Sequence, residues 1–191
     1  MFVRSVRSAV SLLVAMTILL GIAYPLFIEG IAKLAFPRQA EGSLIHQDGK
    51  LIGSTLIGQS FSDPKYFWGR PSATSPQPYN GSASGASNLG PLNPALLDAV
   101  KANAKALHDA DPDNLQPIPV DLVTASGSGL DPEISIAAAQ YQAARVARAR
   151  HVAVERVEGL INAHQDGRLF GFIGERRVNV LTLNLALDRM N

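Results

Sequence analysis

The hydrophobic pattern is dominated by one apolar run near the amino terminus. Residues 8–28 read SAVSLLVAMTILLGIAYPLFI and contain no charged side chain. As a helix this run would be about 32 Å long at roughly 1.5 Å per residue, which matches a hydrocarbon core of roughly 30 Å. Pro25 would fall in the last turn, where a lost hydrogen bond matters least. The pattern therefore predicts a single transmembrane helix over residues 8–30.

A cleaved signal peptide is the alternative interpretation of the same run. The basic start MFVRSVR would look the same, and Gly21-Ile22-Ala23 resembles a small-x-small cleavage site. However, the run is longer than the roughly 7–15 residues of a signal-peptide core, and Pro25 lies just after the cut. These features favour an uncleaved anchor over a binding protein released after Ala23.

Small residues recur four positions apart within the run. Ser11 pairs in this way with Ala15, and Thr17 with Gly21. Such spacing can let another helix approach closely, although it is also common by chance in apolar segments.

The charges beside the run predict its orientation. Arg4 and Arg7 precede it. The charges that follow nearly cancel, namely Glu29, Lys33, Arg38 and Glu41. The positive-inside bias then puts residues 1–7 in the cytoplasm and residues 31–191 outside, which in a bacterium is the periplasm.

Helical periodicity recurs in the second half of the chain. Asn93 before Pro94 is typical of an N-cap followed by proline at the first helical position. The helix is then predicted to continue to residue 111, with an apolar stripe formed by Leu96, Leu97, Val100, Ala104 and Leu107. Further helices are predicted at about 135–150 and 154–163. The segment 180–190 fits either a helix or a strand, and a helix with Asn179 as its cap is favoured.

Strand-like segments are few and short. They are predicted within residues 50–59, at 120–124 and at 177–179. Together with the helices they indicate one compact domain of the α+β class after the anchor.

A region rich in proline, glycine and serine extends over residues 69–94. A structureless loop of this length is unusual in a compact domain and is often functional. Tyr79, Asn80, Asn88 and Leu89 are spaced as if they dock onto something. We expect an ordered loop here rather than a disordered linker.

Composition and charge exclude several classes of function. The formal net charge is +1, and the chain has one tryptophan and no cysteine. A balanced charge gives no long-range attraction to nucleic acid. The absence of cysteine excludes disulfides, thiolate metal sites and a cysteine nucleophile.

Generic catalytic motifs are weak or missing. The segment GSTLIGQ (residues 53–59) has the outer glycine spacing of a phosphate loop but lacks the following Lys-Ser/Thr. Asp131 and Glu133 lie in a turn, where capping explains them first. The four histidines show no ligand spacing, and no G-x-S-x-G elbow occurs. We therefore expect no catalytic, cofactor-binding or metal-binding residues.

Four longer strings are more specific. They are GSTLIGQSF…YFWGRPSAT (residues 53–74), PYNGSASGASNLGPLNP (78–94), LVTASGSGLDPEIS (122–135) and VNVLTLNLALD (178–188). Together with the anchor they resemble, in order and over almost the whole chain, the C subunit of the Kdp potassium-transporting P-type ATPase. This is a pump of bacterial and archaeal inner membranes.

The resemblance implies a non-catalytic accessory role within a complex. Its partners would be a potassium-channel-like subunit, a P-type ATPase subunit and a small single-span subunit, in contact with membrane lipid. ATP, Mg²⁺ and K⁺ would be handled by those partners, and nucleic acid would not be bound. The C subunit is described in that family as a catalytic chaperone that raises ATP affinity, or as an assembly factor.

The predicted orientation limits how such a subunit could act. It puts the family motifs outside, whereas ATP is inside, so any effect on ATP affinity would be indirect coupling between pump states. We therefore favour stabilisation of the assembly through the anchor and an outer domain near the ion entrance.

Five polar residues are candidates for partner contacts. Arg70, Asn88, Ser128 and Asp131 are polar positions of the family-like motifs in loop contexts. Arg145 shares a helix face with Arg148, although the helix dipole alone also explains cations there. The alternative from another class is a membrane-tethered periplasmic hydrolase that uses serines of residues 81–93.

Overall fold

The computed structural model describes residues 2–190. The chain divides between Leu44 and Ile45 into two compact units. The fold is α+β, with one long apolar helix at the amino terminus and a compact second unit.

The first unit is almost entirely helical. Helix α1 (Phe2–Ile18) continues through a π-helical turn (Leu19–Ala23) into α2 (Tyr24–Ala35), and a short α3 (Pro37–Ala40) follows. Residues 2–35 pass as one membrane-span candidate by length and composition, with a mean hydropathy of 2.2 over its most apolar window. None of that window is buried within the protein. The helix contains the predicted span and extends beyond it at both ends.

The π-helical turn lies just before Pro25. A proline has no N–H and its ring collides with the carbonyl four residues earlier, here that of Gly21. The wider turn relieves this conflict, because the Tyr24 N–H donates to the Leu19 carbonyl, five residues back. The helix therefore passes the proline without ending.

A hairpin of β1 (Leu44–Gln47) and β2 (Lys50–Ser54) follows the helices, and all of it except Leu44 belongs to the second unit. Its turn residues Asp48 and Gly49 have φ of 50° and 74°, as an Asp-Gly type I′ turn requires. The strand within residues 50–59 is thus confirmed, and β1 was not predicted.

A small antiparallel sheet organises the rest of the unit. Its strand order is β3-β5-β4, with β3 at Glu133–Ser135, β4 at Gln165–Asp166 and β5 at Arg177–Asn179. In the central strand, Val178 is opposite both Ile134 and Gln165.

Four helices complete the second unit. They are α4 (Pro94–Ala110), α5 (Ile136–Arg150), α6 (Val154–Ala163) and α7 (Val180–Asp188). Three of them begin at polar caps, whose side chains accept from Ala95 N (Asn93, 3.0 Å), Ala138 N (Ser135, 3.0 Å) and Thr182 N (Asn179, 3.1 Å). The four helix predictions are confirmed, including the caps Asn93 and Asn179.

The predicted strand at 120–124 is wrong. Val120–Leu122 is a single 3₁₀ turn, and the Val120 carbonyl accepts from the Thr124 N–H at 3.0 Å. The Asp121 carboxylate accepts from Ser135 N at 2.7 Å and from its hydroxyl at 3.2 Å. The segment is therefore held through the Asp121 side chain, which binds the last residue of β3, rather than by backbone pairing with a strand.

The hydrophobic core lies where α5 meets α6 and α7. Helix α5 contributes a face of small side chains, including Ala139 and Ala143, which lets its neighbours approach closely. Val157, Ile161, Leu183 and Leu187 fill the space from the other two helices, and Phe67 enters from the preceding loop with no exposed surface.

Two buried amide side chains hold the loop segment that contains Phe67. Asn184 of α7 accepts from Phe67 N at 2.8 Å and donates to Phe67 O at 3.0 Å. Gln142 of α5 does the same for Trp68, at 2.8 and 3.1 Å. Each amide supplies one donor and one acceptor, as a neighbouring strand would. We call these contacts the amide clamps.

Candidate functional site

The two loop regions that carry the family-like motifs lock together through an ion pair. Arg70 Nη1 lies 3.0 Å from Asp131 Oδ2, and the two side chains are 25% and 29% exposed. Asp131 Oδ1 also accepts from Glu133 N at 3.0 Å, which orients the carboxylate. The amide clamp on Trp68 fixes the chain two residues before Arg70. Hydrogen bonds of neighbouring residues thus hold both members of the ion pair in position.

Tyr79 fastens the first loop onto itself. Its hydroxyl donates to the Arg70 carbonyl at 2.5 Å, and its N–H donates to Ser72 Oγ at 2.9 Å. Burial, and then the nearby Asp131 carboxylate, raise the pKa of Tyr79 to about 12. The ring packs so tightly on Gly58 that a Cβ there would lie 2.3 Å from it.

The turn at Ser126–Gly129 is held by its own serines and by the first loop. Ser126 Oγ accepts from Gly129 N at 2.9 Å, and Ser128 Oγ accepts from Leu130 N at 3.1 Å. The Ser128 carbonyl accepts from Gly85 N at 2.9 Å. The Ser128 hydroxyl is thus committed to turn structure, as expected of a capping serine.

Hydrogen bonds hold the first part of the 69–94 loop in place as far as Gly85, where the loop crosses the Ser126–Gly129 turn. Ser72 Oγ donates to the Gly129 carbonyl at 2.6 Å, and Asn80 N donates to Thr74 Oγ1 at 3.0 Å. The prediction of an ordered loop is confirmed, and Tyr79 and Asn80 dock within their own domain.

The last part of the loop is exposed. Asn88 is exposed and has a positive φ of 50°, and Leu92 is 96% exposed. Asn88 shares no hydrogen bond or ion pair with the other four candidates in the part of the chain that the structure describes. It lies three residues beyond Gly85, whose N–H donates to the Ser128 carbonyl.

Arg145 is buried rather than on the surface. Its guanidinium donates to the Pro64 carbonyl and to Gln142 Oε1, both at 2.6 Å, and lies 4.5 Å from the centre of the Trp68 ring. Burial lowers the pKa of Arg145 to about 10, Asp111 opposes the shift, and the side chain stays charged at neutral pH. Arg145 therefore supports the segment before Arg70 from within the domain.

The arrangement suits recognition more than acid–base chemistry. Arg70 donates from Nη1 to Asp131 and from Nη2 to the Ala125 carbonyl, whereas its buried Nε has no partner among the described residues. The hydroxyls of Ser72, Tyr79 and Ser128 bind backbone groups. Within residues 2–190, no cluster of three or more His, Asp or Glu side chains is placed to hold a metal ion.

The sequence interpretation missed Gln142 and Asn184, whose side chains fix the Phe67–Trp68 segment that precedes Arg70. A signal was available for Gln142, because it lies four residues from Ala138 and from Val146 on the apolar stripe of its helix. A polar residue at such a position must find buried partners.

Replacement of Tyr79 by phenylalanine is expected to lower the free energy of unfolding by about 1 kcal/mol at neutral pH, because the Arg70 carbonyl loses its donor. The folded pKa of about 12 exceeds the roughly 10 of an unfolded tyrosine. The contribution is thus complete below pH ~10 and is lost as pH rises towards 12. Urea unfolding near pH 8 and near pH 11 measures this. If the free energy of unfolding fell by the same amount in wild type and variant between these two pH values, the prediction would be contradicted. Tyr66 and Tyr141 are present in both proteins, so their effects cancel in the comparison.

The chain matches a known family over almost its whole length. The model of the family KdpC, described as "K+-transporting ATPase, c chain", matches residues 6–189. Among similar curated proteins, the Potassium-transporting ATPase KdpC subunit of Dechloromonas aromatica (strain RCB) is 62% identical over 185 residues, 97% of each chain. The subunit of the same name from Methylococcus capsulatus is 59% identical over 184 residues, which are 96% of this chain and 97% of the relative. That of Variovorax paradoxus is 62% identical over 183 residues, which are 96% of this chain and 95% of the relative.

Proposed function

The chain belongs to the KdpC family, and from that premise we propose that it is a non-catalytic subunit that holds the pump together. As a member of this family it is the accessory subunit of the Kdp K⁺-transporting ATPase, a P-type ATPase complex. The match over residues 6–189 is the observation that carries the proposal.

The amino-terminal helix would be its membrane anchor. Side chains such as Leu13, Leu20 and Phe27 are 60–67% exposed, and a long apolar helix is stable when lipid or other helices cover it. The flanking Arg4 and Arg7 favour an inner-membrane orientation with the amino terminus in the cytoplasm and the compact unit in the periplasm.

On this orientation the subunit acts on ATP hydrolysis only indirectly. ATP, Mg²⁺ and K⁺ would be bound by a potassium-channel-like subunit and a P-type ATPase subunit, with a small single-span subunit beside them. A contact that differs between two pump states shifts their populations by its difference in free energy. Raised ATP affinity would follow without any shared nucleotide site.

The partner contacts would come from the motif loops. Arg70, Ser128 and Asp131 form one rigid surface, and Asn88 lies on an exposed loop beyond it. Arg145 would contribute by fixing the segment before Arg70 rather than by direct contact.

Removal of the chain from the complex tests the proposal. Purified pump without it should lose K⁺-dependent ATPase activity or dissociate, and activity should return when the full chain is added back. Hydrolytic activity of the chain alone would instead support the alternative of a tethered hydrolase, which the names of its relatives do not support.

The orientation can be tested separately because the chain has no cysteine. In intact spheroplasts, a membrane-impermeant maleimide should modify Leu115→Cys, at a site that is 91% exposed, and should leave Val3→Cys unmodified until the membrane is opened. The reverse pattern would overturn the orientation while leaving family membership intact.

A further inference from the structure

A short hairpin between β4 and β5 projects from the edge of the sheet. Residues 168–176, here called the apolar hairpin, read RLFGFIGER. The Leu169 N–H donates to the Ile173 carbonyl at 2.9 Å, and Gly171 N to Arg168 O at 3.0 Å. Phe170 and Gly171 have φ of 53° and 84° at the tip. The segment is therefore a closed turn with a defined shape.

The tip of the apolar hairpin carries large side chains that its own domain does not cover. Leu169 is 61% exposed, Phe170 79%, Phe172 73% and Ile173 49%. Single exposed apolar residues are ordinary, but a contiguous group of four marks a surface that something else covers.

Salt bridges brace the base of the same hairpin. Arg168 pairs with Glu175 at 3.4 Å, and Arg177 pairs with Glu133 of β3 at 2.6 Å. These pairs connect the two arms to each other and to the sheet. The apolar tip is consequently presented on a supported base.

Two concave surfaces lie beside the base of the hairpin, and Glu175 and Arg176 line both of them. One groove of about 570 Å³ is lined by apolar Val120, Ile134 and Ala137 and by charged residues, among them Glu175, Arg176 and the Arg70–Asp131 pair. A second of about 410 Å³ is lined by Ile136, Asn162 and Arg168, among others. A bilayer can receive a projecting apolar tip but leaves concave surfaces beside it unfilled, whereas the side chains of a partner protein can fill them. The alternation of projection and groove thus favours a protein occupant.

The composition of the hairpin also favours a protein partner. Residues 168–177 contain two phenylalanines and three arginines but no lysine. Aromatic residues and arginine are enriched in protein interfaces and lysine is depleted. Arg168 and Arg177 are already paired with Glu175 and Glu133, which leaves Arg176 as the cation of this segment without an ion pair among the described residues. A second copy of this chain is a poor partner, because a twofold contact at the tip would bring the two Arg176 side chains together. A different chain with carboxylates at the rim of an apolar cleft fits better.

We propose that the apolar hairpin docks into an apolar, acid-rimmed cleft on the extracytoplasmic face of another subunit of the pump. This rests on the proposed function, since it requires the complex and the outer placement of the domain. It adds a specific contact, separate from the anchor helix, through Phe170 and Phe172 with Arg176 beside them.

Photo-cross-linking in the assembled pump tests the docking. Phe172→Cys, the only cysteine of its chain, is labelled with benzophenone-maleimide and irradiated within the purified complex. The expected product joins residue 172 to an acidic-residue-containing segment of another subunit, identified by mass spectrometry. Leu115→Cys, also highly exposed, is the matched control and should give little product. Cross-links to lipid only, to a second copy of the chain, or to nothing would each overturn the proposal.

A paired substitution gives an independent measurement. Phe170→Ser with Phe172→Ser should weaken association with the pump by roughly thirty-fold or more, the scale of a lost aromatic hot spot. The melting temperature of the isolated full chain should not change, because both rings are largely exposed. Unchanged association would contradict the proposal.

Failure here can be separated from failure of the proposed function. A benzophenone on Leu13→Cys in the anchor reports on the helix independently. If residue 13 cross-links to a pump subunit and residue 172 does not, only the hairpin proposal fails. If the full chain does not co-purify with the pump at all, both fail.

Discussion

Replacing Gln142 with leucine is expected to lower the free energy of unfolding of the compact unit by about 4 kcal/mol. The change removes the partners of Trp68 N and O and also the acceptor of Arg145 Nη2. Each buried polar group left without a partner costs roughly 1–3 kcal/mol, and more when it is charged. Leucine has a similar size, so the packing of α5 changes little. Urea unfolding of the full chain in detergent measures the loss.

The same chain provides the control and the probe. Gln140 is on α5 but exposed, so Gln140→Leu should change the free energy of unfolding by less than about 0.5 kcal/mol. Trp68 is the sole tryptophan and is held by Gln142, so its fluorescence reports release of the clamp directly. Equal stability of the two variants would show that the clamp contributes nothing.

Replacing Gly129 with alanine is expected to destabilise the junction of the two motif loops by about 3 kcal/mol. Gly129 has a φ of 68°, and a Cβ there would lie 2.6 Å from Thr74 Cγ2 and 2.7 Å from the Gly85 carbonyl oxygen. A left-handed alanine costs roughly 1–2 kcal/mol, and displacement of a backbone carbonyl adds to that. Hydrogen exchange of the Gly85 amide, bonded to Ser128 O, should accelerate.

Gly127 is the matched control for this change. It lies in the same turn, but a Cβ there would meet no atom within 4 Å. Gly127→Ala should therefore leave exchange of the Gly85 amide and the assembly of the pump unaffected. If Gly129→Ala preserved both, the locked loops would not be the surface that the complex uses.

Local chemistry made the helices predictable. Asn93 and Asn179 cap helices through side chains three or fewer residues from the bonds they make, so the sequence shows both members of each interaction. The Asp-Gly turn at residues 48–49 is equally local, and the hairpin with β1 could have been predicted from it. The strand at 120–124 failed because Asp121 binds Ser135, a partner in a later element.

The candidate site depends on interactions that are distant in sequence. The resemblance to a family singled out Arg70 and Asp131 separately, but nothing local indicates that residues 61 positions apart form an ion pair. Arg145 fitted the usual pattern of a cation near a helix end, and only the packing of Trp68 and the Pro64 carbonyl against it explains its burial. The amide clamps are long-range in the same sense.

The π-helical turn at Leu19–Ala23 changes which side of the amino-terminal helix each half presents to its neighbours. One extra residue in the turn rotates everything beyond it by roughly 100° relative to a regular helix. The stripe that contains Ser11 and Ala15 therefore does not continue onto the same side of α2. In the proposed membrane orientation, one helix would thus present different sides to neighbouring helices in the inner and the outer leaflet.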